Sequence, residues 1–265
     1  MFFYAKYVII IYTNYVNYAN CRKSPLFSLL FISQRSAVME VVSVMNYDWF
    51  KYFLEESNEL QEKMEQTEKA WESFINNQII DRDSTISPEI LSSWGRCKER
   101  GLDPHDEKMV VLSPEEIDKR LENNKHILNV MRPIINGVAD TISFTAHRIE
   151  FYDVDLNLLI RFGRKKEDKD RLIREIEIGT SAKEGDLGTT AICLAALLER
   201  PMYTTCKEHY KDMMRDYSCT AVPIMSSEDK LIGIIASFGR IWPLHKHTVG
   251  MLFSLKREIE SHLFG

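Results

Sequence analysis

The chain has 265 residues, 45% of them hydrophobic and 28% charged, with a formal net charge of −5. That composition excludes a disordered chain and allows a sizeable buried core. The acidic balance excludes a generic nucleic-acid surface, which needs clustered Lys and Arg, so no direct nucleic-acid binding is expected. The cysteines are Cys21, Cys97, Cys193, Cys206 and Cys219, an odd set without a C-x-x-C pair, which points to a reduced, cytoplasmic protein rather than to a zinc or dithiol site.

The leader differs from the rest. Met1 to Met39 contains no Asp or Glu, and Lys6, Asn14 and Asn17 interrupt its apolar run. The run falls short of the roughly 20 apolar residues a membrane span needs, and it lacks the basic and small-residue flanks of an export signal. No membrane association is expected. An export signal or anchor remains the alternative to translated upstream sequence, with a functional chain starting near Met39 or Met45.

From Tyr47 to about Ile80, Phe53, Leu60, Met64, Trp71 and Phe74 recur at helical spacing among charged residues. The stripe suits either a dimer seam or a helix packed on its own domain. Ser87, Pro88 and Glu89 then open a second helix that Gly101 and Pro104 close. Ser113 and Pro114 open a third, with Ile117, Leu121, Ile127, Leu128 and Met131 on its apolar face.

Beyond His147 the period becomes that of strands. "HRIEFYDVDLNLLIRFG" reads as a hairpin turning at Asp153 to Asn157, followed by a charged run from Arg164. The stretch "DLGTTAICLAALLERP" is apolar on nearly every side, so Leu187 to Leu198 is expected between the sheet and another layer. At its start, Gly188 and Thr189 either let a ligand approach free N–H groups or serve simply as turn and cap. "KEHYKDMMRDY" reads as helical, "SCTAVPIM" and "KLIGIIASFG" as a second hairpin about "SSED", and Leu244 to Leu263 as a closing helix. This order of elements predicts an α+β fold, an antiparallel sheet flanked by helices.

Chemistry is weakly signalled. His209 is the one base near Cys206 in sequence, and a buried cysteine is more often core than nucleophile. The His245 and His247 pair and the Glu208–His209 pair supply too few ligands for a familiar metal site, and the sequence leaves the cofactor open, bound haem or iron included. No G-x-x-x-x-G-K-[ST] phosphate loop occurs.

Several motifs in register resemble one family. "PEILSSWGRCKERGLDP", Pro88 to Pro104, and "LSPEE", Leu112 to Glu116, are similar to the helical lead of sigma-54-dependent transcriptional activators of the acetoin-catabolism type. Glu184, Gly188, Thr189, Ala191, Ile192, Ala195, Arg200 and Pro201, then "EHY" at Glu208 to Tyr210 and "CTAVPI" at Cys219 to Ile224, resemble the GAF core of that family. Departures fall at Thr190, where Asn is usual, at Cys193 and Leu194 in place of Gly-Thr, and at Ala182 in place of Trp.

The resemblance implies a leader at residues 1–44, a helical lead at 45–135, a GAF-like sensory domain at 136–243 and an output helix at 244–265. It implies a non-enzymatic sensor of a small-molecule effector, without the family's ATPase and DNA-binding domains. The expected pocket residues are Phe151, Asp153, Glu184, Gly188, Thr189 and Cys219. Two rivals stay open: an interaction module that homodimerises through the N- and C-terminal helices, and a thiol-redox enzyme acting on free methionine sulfoxide.

Overall fold

The structure is a computed structural model and describes residues 48–77, 86–142, 147–163, 176–239 and 246–265. The chain divides into two units, residues 1–58 and 59–265, and the second holds the sheet. The expected leader, the charged run Arg164 to Lys169 and His245 lie outside the described residues.

Helix α1 (Asp48–Ile75) enters the second unit at Glu59. Helix α2 (Pro88–Glu99) starts where the Ser87 hydroxyl accepts the Ile90 N–H at 3.4 Å, and Gly101, at φ +71°, follows its end. Helix α3 (Pro114–Asn123) opens with a reciprocal capping box. Ser113 Oγ accepts the Glu116 N–H at 3.3 Å, and Glu116 Oε2 accepts the Ser113 N–H at 2.9 Å. The single helix predicted beyond Ser113 is in fact two. Asn124, donating its side-chain amide to the Arg120 carbonyl at 2.8 Å, separates α3 from α4 (Lys125–Ile142).

The sheet is antiparallel, with strands β1 (His147–Tyr152), β2 (Leu158–Phe162), β3 (Met202–Thr204), β4 (Ser218–Met225) and β5 (Leu231–Gly239) in the order β2-β1-β5-β4-β3. Alternation along each strand sorts its side chains to two faces. Ile149, Phe151, Leu159, Val222, Ile224 and Ile235 pack against α4 and the closing helix α7 (Lys246–Phe264). Tyr152, Cys219, Ala221, Ile234, Ala236 and Phe238 belong to a second core that includes Trp71 and Trp94 of the lead.

The apolar stretch after Lys183 differs from its prediction. Gly188, at φ +79°, breaks it into a short α5 (Glu184–Leu187) and α6 (Ala191–Leu198). The backbone angle there favours glycine, and a Cβ at Gly188 would crowd the Tyr210 Cβ at 3.1 Å. Ala191 to Ala195 are buried, but Leu197 is 60% exposed, so the helix is layered over the sheet for its first turns only. The segment predicted helical after Lys207 forms two 3₁₀ turns, Cys206–Glu208 and Asp212–Met214. Its Glu208 and Tyr210 carbonyls accept the indole N–H groups of Trp94 (2.9 Å) and Trp71 (3.1 Å), bonds to the lead that take those acceptors out of a helical ladder.

The lead is built into the domain at a third place. Gly179 N–H donates to the Leu158 carbonyl at 2.7 Å, while Leu112 N–H reaches the Gly179 carbonyl at 3.0 Å and Ser181 N–H the Val110 carbonyl at 2.8 Å. Residues 179–181 therefore bridge the start of β2 and the loop before α3, through the pairs Val111 with Thr180 and Asn157 with Ser181.

Candidate functional site

Two polar groups lie on the side of the sheet that carries α6. The first is built by the pleat of β1. Residues two apart share a face, so Arg148, Glu150 and Tyr152 point one way and Ile149 and Phe151 the other. Glu150 is fully buried and pairs in register with Arg161 of β2. Arg161 donates Nε–H to Glu150 Oε1 at 2.7 Å, Tyr152 donates its hydroxyl to Glu150 Oε2 at 2.7 Å, and Arg161 Nη2 donates to the Ile176 carbonyl. Burial, and then the charge of Glu150, push the Tyr152 phenol well above its ordinary value and the Cys219 thiol likewise. Both remain protonated at neutral pH.

The second group joins α2 to α5. Glu184 accepts Arg96 Nε–H at 2.8 Å and Arg96 Nη2–H at 2.7 Å, a bidentate pair, with Arg100 Nη1 at 3.1 Å and the Ser93 hydroxyl at 2.5 Å. Burial alone would raise the Glu184 carboxyl. The hydrogen bonds of Arg96 and Ser93 and the charges of Arg96 and Arg100 outweigh it and hold the group below its ordinary value. Thr189, fully buried, shares a hydrogen bond with Ser93 at 2.8 Å.

The start of α6 is occupied by the chain itself. Thr190 Oγ1 accepts the Cys193 N–H at 3.2 Å, and Thr204 Oγ1 accepts the Ala191 N–H at 3.2 Å. Cys193 Sγ also lies 3.4 Å from the Thr190 nitrogen, so two departures from the family motif, Thr190 and Cys193, together form the cap.

The six expected pocket residues are thus distributed. Glu184, Gly188 and Thr189 come together under α2, and Cys219 faces the Glu150 group. Phe151 is not brought to them: it lies in the core against α4 and α7, because it is one residue out of phase with Glu150. Asp153 is not brought to them either. Its Oδ1 accepts the N–H groups of Asp155 (3.0 Å) and Asn157 (2.9 Å), and its Oδ2 pairs with Arg120 at 2.6 Å, which ties the hairpin turn to α3. Glu150, Tyr152 and Arg161 were not singled out from sequence, and the available signal was the charge pair Arg148-x-Glu150 on one face of β1.

The thiols are poorly suited to nucleophilic work. Cys97, Cys193, Cys206 and Cys219 are free and buried. Burial raises Cys97 to about 12 and Cys193 to about 11, and it raises Cys206 as well. His209 Nδ1 lies 3.0 Å from the Cys206 carbonyl, which can only accept, so Nδ1 carries the proton and Nε2 accepts from Thr204 at 3.0 Å. That tautomer ties His209 to backbone and hydroxyl rather than to a thiol. Among the described residues, no group of three or more His, Cys, Asp or Glu could hold a metal ion, and no helix is long and apolar enough to cross a membrane.

No family profile matches the chain. It is 24% identical over 196 residues to the acetoin dehydrogenase operon transcriptional activator AcoR of Bacillus subtilis, covering 74% of this chain and 32% of that protein. It is 23% identical over 185 residues to a signal-transduction and transcriptional-control protein of Clostridium beijerinckii, covering 69% and 29%. The chain thus spans about a third of the length of these relatives. Among solved structures, the complex of Escherichia coli DhaR(N) with DhaL matches at a TM-score of 0.61 and 20% identity, covering 67% of this chain and 60% of that one, a likeness of fold. With this sheet, these flanking helices and these relatives, the chain is similar to the GAF-like regulatory region of transcriptional activators of the acetoin-catabolism type.

Proposed function

We propose that the chain senses a small-molecule effector for a bacterial sigma-54-dependent transcriptional regulator, acting in the cytoplasm and without catalysis. The observation that carries this reading is the fully buried Glu150 carboxylate, set with Arg161 and Tyr152 on the α6 side of the sheet. A hydrophobic face that retains an ion pair provides fixed polar groups for ligand recognition, whereas packing alone would be served as well by apolar residues. Residues 45–135 act as the lead, 136–243 as the sensor and 244–265 as the output helix. An effector transmits a signal only through different affinity for two arrangements of these parts.

Native mass spectrometry of protein purified from its own host tests the reading, together with thermal shifts against acetoin and related small diols, ketones and acids. A retained mass or a dose-dependent rise in Tm is expected, because binding to the native state alone raises apparent stability. A tight dimer that responds to none of them would move the function to the interaction module. The exposed Phe253 and Phe264 of α7 favour that second reading.

A further inference from the structure

The Arg161 guanidinium identifies the class of effector, an inference that rests on the sensing function proposed above. Its Nε is taken by Glu150 and its Nη2 by the backbone carbonyl of Ile176, while Nη1 makes no hydrogen bond among the described residues. The side chain is 17% exposed, so solvent reaches this otherwise buried group. Arg148, 5% exposed, lies on the same face of β1 as Glu150, so two guanidiniums and one carboxylate share this side of the sheet.

A guanidinium offers two parallel N–H groups along its Nη edge, a geometry matched by the two oxygens of a carboxylate. Among the described residues, a carbonyl of the chain accepts from Nη2 and none accepts from Nη1. We propose that the effector is a small carboxylate that takes the Nη1 and Nη2 edge of Arg161 and displaces the Ile176 carbonyl. A neutral ketone or diol presents only uncharged, weaker acceptors and has little advantage over the carbonyl already there.

The displacement also supplies the difference between two states that sensing requires. Ile176 lies just before residues 179–181, which bridge β2 and the Val110 to Leu112 loop, and the chain continues into Glu184, the carboxylate held by α2. Releasing the Ile176 carbonyl therefore loosens the segment that joins the sheet to the helical lead.

The test uses the full chain with lactate and pyruvate as carboxylate probes and 2,3-butanediol and acetoin as neutral ones. Calorimetric titration is paired with hydrogen exchange across residues 176–184. The acids are expected to bind and to speed exchange in that segment, with affinity falling at least tenfold in Arg161→Gln and less in Arg161→Lys. Arg161→Gln leaves Glu150 buried without its cation, so the double variant Glu150→Gln with Arg161→Gln provides a neutral background. Acid binding unchanged in both variants, or binding by the neutral probes alone, overturns the carboxylate assignment and leaves the sensor standing. Failure of all four probes to bind more tightly than about 1 mM overturns the sensing function as well.

Discussion

Arg96 and Glu184 form a bidentate ion pair, 2.7 Å at the shorter contact, that fastens α2 to α5. The pair connects two motifs 88 positions apart in sequence, so α2 and α5 are packed together. Replacing Glu184 by Gln keeps the shape and removes the charge. It should cost about 1–3 kcal/mol in urea unfolding, the usual penalty for breaking a charge-assisted hydrogen-bond set.

The pH dependence of that contribution has a definite sign. The folded pKa of Glu184 lies below its unfolded value, so its stabilisation is present above the unfolded value and is lost as pH falls through the folded one. Unfolding free energies of the wild type and Glu184→Gln, measured from pH 7 down to pH 3, should converge as the pH drops. Parallel curves would show that the ion pair contributes nothing.

His209 gives a second acid-sensitive contribution with a different window. Complete burial lowers its pKa from 6.5 to about 4, only partly offset by the hydrogen bond to the Cys206 carbonyl. The unfolded chain then binds a proton near pH 6.5 that the folded chain refuses until about pH 4, so stability falls across that interval as pH is lowered. The loss should approach about 3 kcal/mol at the acid end. In His209→Gln the slope between those pH values should flatten, and an NMR titration of the imidazole should show no protonation above about pH 5.

How far these contacts could be read from sequence depends on their range. Ser87 and Ser113 act on N–H groups three residues away, so both caps were legible. The turn from Asp153 to Asn157 was legible for the same reason, and Asp153 is the hub of that turn, apart from Glu184 and Thr189. The apolar pattern of β1 showed a strand but drew attention to Phe151, and the pleat placed Glu150 on the other face. The bonds from Trp94 to the Glu208 carbonyl and from the Ser181 N–H to the Val110 carbonyl join backbone atoms to distant partners and have no local signature, so the 3₁₀ turns and the bridged loop were not predictable.

Gly188 offers a test of packing against ligand approach. Its φ of +79° and the 3.1 Å separation from the Tyr210 Cβ mean that alanine there meets strain and crowding together. Gly188→Ala should destabilise by about 1–3 kcal/mol, the cost of a non-glycine residue held in a disfavoured conformation. Effector affinity, measured at a temperature where the variant remains folded, should stay within twofold of wild type if glycine serves packing. A larger loss at unchanged fold would return the start of α6 to the binding site.

The buried thiols among the described residues allow the enzymatic alternative to be tested directly. A thiol attacks as its thiolate, and burial disfavours that form at Cys97, Cys193, Cys206 and Cys219 alike. Mass spectrometry after brief iodoacetamide treatment at pH 7.5 should find these positions unmodified in native protein and fully modified in urea. Substituting Cys219 by Ser should leave effector binding close to wild type, since its thiol would act as a small core group. Rapid native labelling of Cys193 or Cys219, accompanied by consumption of free methionine sulfoxide and lost on Cys-to-Ser substitution, would instead establish a redox enzyme on the same sheet face.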